Sequence, residues 1–213
     1  MARQKNGILG NYIGKLGTVV GFEINGIGYS RSLPRQRTKA ATPAELLNRQ
    51  KFACSQAWLQ PLTAFLRVGF QDYTTTYQGF TAAKSYNSKH SIKLVGEVFE
   101  IDPSLALVSF GDMEQTAAHA AAVESPTSIR FSWEKVASHA YDDRCMLMAY
   151  DVDNENAYFE TAGVKSGKLT DVLKMDPRCL GKTLHVYLAF VAENRKRRSN
   201  SQYLGTLTMP KTI

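Results

Sequence analysis

Catalysis needs a nucleophile or a base with placed partners, and this 213-residue chain offers few candidates. The histidines, His90, His119, His139 and His185, form no HExxH, HxH or other closely spaced pair that would grip a metal. His185 sits opposite in phase to Leu184 and Val186, which places it at a surface or between sheets. No GxSxG nucleophile elbow occurs. Cys54, Cys145 and Cys179 are odd in number and lack CxxC spacing, so they read as buried reduced thiols, neither a disulfide framework nor a zinc ribbon. Asp151-Val152-Asp153-Asn154-Glu155-Asn156 has calcium-like acids but not the glycine and closing glutamate of an EF-hand loop; a polar hairpin turn is the reading. Asp142-Asp143 reads as a solvated turn. The glycines from Gly7 to Gly17 lack the lysine and Ser/Thr of a phosphate loop and lead into strand, not helix. These residues predict no enzyme, no cofactor and no metal.

Binding chemistry is better represented. The net charge is +7, from 26 Lys and Arg against 19 Asp and Glu, and its placement is uneven. Between Arg3 and Lys51 the only acids are Glu23 and Glu45, while Arg31, Arg35, Arg37 and Lys39 cluster, with Arg49 and Lys51 beyond. Glu97 to Glu114 is acidic, and Arg195-Lys196-Arg197-Arg198 forms a second basic cluster. Such patches attract nucleic acid, acidic glycans or acidic proteins, or simply keep a surface solvated.

The elements that carry these residues begin with a hairpin. Thr18 to Ile24 and Ile27 to Leu33 read as strands joined at Asn25-Gly26, a turn whose two positions favour positive φ. Val19, Val20, Phe22 and Tyr29 lie on this hairpin and form a candidate assembly edge, because its glycines permit close approach of another backbone. Thr42-Pro43-Ala44-Glu45 then supplies an N-cap, an N1 proline and a capping-box acid. Leu46, Leu47, Gln50, Ala53, Cys54, Ala57 and Trp58 share one helical stripe, and Ser55 faces away. Pro61 interrupts this helix, and Leu62, Phe65 and Leu66 continue a further turn or two before Gly69. Aromatic residues among Thr and Ser from Phe70 to Asn87 suit core packing or a stacking platform beside Lys84, Lys89 and His90.

From Ile101 the pattern becomes short alternating strands. They cover Leu105–Phe110, Ser128–Trp133, Cys145–Tyr150, Ala157–Glu160, Leu169–Leu173, Thr183–Val191 and Ser201–Met209. The run Leu180 to Phe190 resembles the penultimate strand of a fibronectin type III or immunoglobulin-like domain, which would put Arg195 to Arg198 at the tip of the last hairpin, where that fold commonly binds. The expected fold is therefore mainly β within the α+β class. Residues 1–100 would form an N-terminal hairpin and helix region, and 101–213 an immunoglobulin or fibronectin III-like β-sandwich.

Asn6-Gly7-Ile8-Leu9-Gly10, Gly14 to Gly21, Arg31-Ser32-Leu33-Pro34, Arg49-Gln50-Lys51-Phe52, Gly69-Phe70 and Ser199 to Gly205 together resemble an uncharacterised family of proteins of about this length from Bacteroidota. That resemblance implies no activity. The expected function is a structural or adhesive protein working through protein–protein contacts and self-assembling through the N-terminal hairpin; nucleic-acid or polyanion binding through the basic patches is the alternative. No run has the roughly 20 apolar residues of a membrane helix. The start at Met1-Ala2-Arg3-Gln4-Lys5 has no hydrophobic signal core, so synthesis in the cytoplasm without membrane insertion is expected.

Overall fold

The computed structural model describes residues 2–4, 7, 10–24, 26–36, 38–74 and 78–211. They form two compact units, Met1–Thr42 and Pro43–Ile213.

The first unit is an antiparallel sheet of β1 (Arg3–Gln4), β2 (Tyr12–Leu16), β3 (Val19–Ile24) and β4 (Ile27–Ser32), in that order. Both tight turns need glycine. Gly17 has φ 59° between β2 and β3, and Gly26 has φ 80° between β3 and β4. Asn25 of the expected Asn-Gly turn lies outside the described residues, as do Asn6, Ile8 and Leu9 of the resemblance. Gly21 and Gly28 serve a different purpose. A Cβ on Gly21 would collide with the carbonyl oxygen and ring of Tyr12, and one on Gly28 with the side chain of Asn11. The close approach that these glycines permit is thus made by Asn11 and Tyr12 of the same chain, at the start of β2.

The second unit opens with α1 (Pro43–Leu59), a 3-10 turn at Gln60–Leu62 containing Pro61, α2 (Thr63–Gly69) and α3 (Gly79–His90). A hairpin follows, β5 (Ile92–Val95) with β6 (Val98–Ile101). Packing starts only midway along α1. Leu46 and Leu47 remain 48% exposed, against the expected buried stripe, whereas Ser55 is fully buried and shares a 2.8 Å hydrogen bond with Ser88 of α3. The helix turns its Ser55–Trp58–Leu59 surface inward because α3 and β6 cover only that end.

Seven strands make the sandwich: β7 (His119–Ser125), β8 (Ser128–Trp133), β9 (Arg144–Asp151), β10 (Asn156–Glu160), β11 (Thr170–Lys174), β12 (Thr183–Val191) and β13 (Gln202–Thr208). One sheet has the order β11-β8-β7 and the other β10-β9-β12-β13, a three-on-four arrangement of fibronectin III type. Alternation along β9 and β12 faces two cores. Leu147, Ala149, Val186, Leu188 and Phe190 meet Ile129, Phe131 and Trp133 of the opposing sheet. Met146, Met148, Tyr150, Tyr187, Ala189 and Val191 join Trp58, Leu59, Leu62, Phe65 and Phe70 of the helical segment in a second cluster. Tyr150 Oη donates to the Trp58 carbonyl (3.0 Å) and Tyr187 Oη to the Pro103 carbonyl (2.8 Å), so the buried phenols at this interface are satisfied. Helices, four-stranded sheet and three-stranded sheet stack as three layers, and the chain divides at Thr42/Pro43, not near residue 100.

Leu105–Phe110, expected as the first sandwich strand, is not a strand; β7 takes that place. The segment is apolar because Ala106 and Val108 are buried. Its backbone is satisfied mainly outside any ladder: Asn87 pairs with both Leu107 groups (3.0 and 2.8 Å), Ser201 Oγ accepts from Val108 N–H (2.9 Å), and the Gly69 carbonyl accepts from Phe110 N–H (2.9 Å).

Candidate binding surfaces

Register assigns the faces of the N-terminal sheet. Val20 opposes Arg31, Phe22 opposes Tyr29 and Ile24 opposes Ile27, so these six side chains share one face. Phe22 and Tyr29 stack at 5.8 Å with an interplanar angle of 19°, and the Arg31 guanidinium lies 5.7 Å from the Phe22 ring centroid. Ile24, Ile27 and Tyr29 are about half exposed, leaving an aromatic and aliphatic face in water. Val19 lies on the opposite face. The expected edge, however, falls on the wrong strand for three of its four residues. Val19, Val20 and Phe22 sit on β3, which is paired on both sides because Tyr12–Leu16 forms β2. Only Tyr29 belongs to the open edge strand, β4. Arg35 and Lys39 are exposed beyond β4, and Arg37 lies outside the described residues.

In the second unit, the β8–β9, β10–β11 and β12–β13 loops are stitched together at one end of the sandwich. Ser166 N–H donates to the Asp143 carbonyl (2.7 Å), and Trp133 Nε1–H donates to the Ser166 carbonyl (2.7 Å). The Arg144 guanidinium reaches Glu193 across 2.5 Å. Asp171 accepts from Val164 N–H (3.0 Å) and the Cys145 thiol (3.2 Å), and burial pushes that thiol far above its ordinary range, with the Asp171 charge adding to the effect. Cys145 is therefore a packed, buried thiol.

The four residues of the basic cluster at the β12–β13 tip differ in exposure and pairing. Lys196 is exposed; Arg197 is exposed and faces Asp112 at 3.5 Å. Arg195 is half-buried and holds φ 59°. Arg198 is only 3% exposed, bonded to Asp72 (3.1 Å) and to the Arg195 carbonyl (2.5 Å), and its backbone presses on Gly111. The Arg198 guanidinium is thus engaged within the tip, while Arg198 also lines a cavity with Lys196, Arg197, Asp72 and Asp112.

Asp151, read as a turn residue, accepts from Asn154 through both carboxylate oxygens (3.1 and 2.8 Å), closing the β9–β10 turn. His185 Nδ1 lies 2.9 Å from Tyr203 Oη, and burial lowers its pKa. Among the described residues no group of three or more His, Cys, Asp or Glu is arranged to hold a metal ion. Among the described residues no helix is long and apolar enough to cross a membrane.

A family pattern matches residues 10–205, a span that takes in both the N-terminal sheet and the sandwich. The chain belongs to the family of unknown function DUF6266. No curated protein matches it. Among solved structures it is similar to the fn3 domain of the human collagen alpha-1(XX) chain, at 14% identity and a TM-score of 0.36, over 47% of this chain and 88% of that one. The fibronectin III-like architecture of this DUF6266 protein rests on its own strand order.

Sequence reasoning passed over one group of residues in this DUF6266 chain. Lys135 and Tyr141 belong to one stretch of the sequence and Lys165 and Lys168 to another, and the fold brings the two stretches together around one cavity at the β8–β9 and β10–β11 loops.

Proposed function

We propose that this protein acts by binding and not by catalysis, and that the N-terminal sheet joins two copies of the chain edge to edge. The observation that carries this reading is the open β4 edge bordering the exposed aromatic face. Counted from the two-residue turn after Ile24, antiparallel alternation directs the N–H and C=O groups of Gly28, Ser30 and Ser32 away from β3. An antiparallel second copy with Ser30 opposite Ser30 sets Gly28 opposite Ser32, so every outward group finds a partner. The same register places Tyr29 against Arg31 of the second copy, twice, and extends the Phe22–Tyr29 stack across the junction. No proline interrupts β4, and the first beyond it is Pro34, so the edge lacks a proline guard against pairing.

Light scattering coupled to size-exclusion chromatography tests this. The full chain is expected to be a dimer. Ser30→Pro removes an outward N–H without touching the β3 ladder and is expected to give a monomer with an unchanged melting temperature. A monomeric parent chain, or a Ser30→Pro chain that remains dimeric, refutes edge pairing.

A further inference from the structure

The loops at one end of the sandwich enclose a cavity of about 530 Å³ lined by Lys135, Val136, His139, Tyr141, Lys165 and Lys168 among others. No carboxylate lines it. Asp142 approaches Lys165 from outside that lining, at 2.6 Å, while Lys135 and Lys168 make no ion pair among the described residues. Tyr141 is 83% exposed with the Lys165 ammonium 3.8 Å from its ring centroid, which leaves much of the ring free to stack. The walls are fixed before any ligand arrives. Trp133 Nε1–H holds the Ser166 carbonyl, Ser166 N–H holds the Asp143 carbonyl, and the Asp143 carboxylate accepts from Ala140 N–H at 2.8 Å. Such bracing lowers the ordering cost of binding.

From this arrangement we infer a binding site for a sugar carrying a phosphate or sulfate ester, with the ester among Lys135, Lys165 and Lys168 and the ring against Tyr141. Three ammonium groups and no guanidinium suit a tetrahedral oxyanion, which takes point charges from several directions; a carboxylate is better matched by the planar arginine fork. The aromatic ring at the rim supplies the flat apolar surface that a pyranose covers. The inference is independent of edge pairing by β4.

The Trp133 indole N–H reports on this cavity, since it is bonded to the Ser166 carbonyl of the lining. Its resonance would be followed by heteronuclear NMR in the full chain during titration with glucose 6-phosphate, a sulfated disaccharide, unmodified glucose and inorganic phosphate. Saturable shifts are expected with either ester, and which ester binds more tightly distinguishes a free sugar phosphate from a sulfated glycan as the source. Glucose is expected to give none, and phosphate alone to bind more weakly. A Lys135→Ser, Lys168→Ser double variant should weaken ester binding about tenfold or more, as loss of two charge-assisted contacts does. Both side chains are exposed, so its melting temperature should match the parent. Tyr141→Ala should bring the ester down to the level of inorganic phosphate. The inference is overturned if neither ester saturates, or if the folded double variant binds as well as the parent. Phosphate binding as tightly as the esters overturns the role given to Tyr141.

Discussion

Phe65→Ala, made in a Trp58→Phe background, tests whether helices and sandwich unfold together. Phe65 is fully buried on α2 and meets Phe159 of β10 edge-on at 5.8 Å, so truncation leaves a cavity between the helical layer and the four-stranded sheet. Trp58 has an indole N–H with no partner among the described residues, so its replacement by Phe loses no hydrogen bond. It leaves Trp133, in the core between the two sheets, as the sole tryptophan. A buried Phe→Ala change costs about 3–5 kcal/mol. In a unit of this size each kcal/mol lowers the melting temperature by about 2–4 °C, so a fall of about 6–20 °C is expected. Helical circular dichroism reports on α1–α3 and Trp133 fluorescence on the sandwich, and both transitions should move together. A Trp133 transition that holds its temperature while the helical signal melts earlier would refute the single cooperative unit.

Gly21→Ala is expected to disrupt the N-terminal sheet, since the new methyl group meets Tyr12, while the melting transition of Pro43–Ile213 stays where it was; scanning calorimetry would show this. Burial raises the pKa of all three thiols, and only Cys54 is not fully buried. A disulfide reagent at mildly alkaline pH should therefore label Cys54 first and slowly, and Cys145 and Cys179 only on unfolding. The Lys93 ammonium, bonded to Asp102 at 2.5 Å, and the Ser104 hydroxyl hold the Asp102 carboxyl at about 2. Because that value lies below the unfolded one, the stabilisation is complete above about pH 4 and disappears as pH falls toward 2; Lys93→Ala should raise the Asp102 pKa in an NMR titration. His185 has a lowered pKa caused by burial, so the unfolded chain binds its proton first and stability should decline as pH falls below about 6.5. In His185→Gln that part of the decline should be absent from the denaturation midpoint.

Six of the seven sandwich strands were legible because their signal is local. Ile129, Phe131 and Trp133 alternate with Arg130 and Ser132, the pattern of a strand with one wet face. The uninterrupted run Cys145 to Tyr150 looked different for a physical reason: β9 is buried on both faces, by the opposing sheet and by the helices, so alternation disappears. β7 was missed because its alanines carry little hydrophobic contrast, and the neighbouring run Leu105–Phe110 mimicked a strand while being bonded by side chains. α3 was missed because Thr, Ser, Asn and Tyr dilute its helical period. The N-terminal hairpin is legible in Asn25-Gly26, but its pairing with β2 is not, since Tyr12–Leu16 is short and broken by Gly14. Charge was the least legible property. Arg195 to Arg198 are adjacent in sequence but differ in exposure and pairing, whereas Lys135 is distant in sequence from Lys165 and Lys168 and lines the same cavity.

Coverage of the four-stranded sheet on both faces also bears on how the chain avoids aggregation. A fragment beginning near residue 101 would keep a complete sandwich yet lay Met146, Met148, Tyr150, Tyr187, Ala189 and Val191 open to water, a continuous oily surface on two adjacent strands. Such a surface favours precipitation over solubility. The helices thus cover this face of the sheet, and during synthesis they leave the ribosome before the strands that they shield.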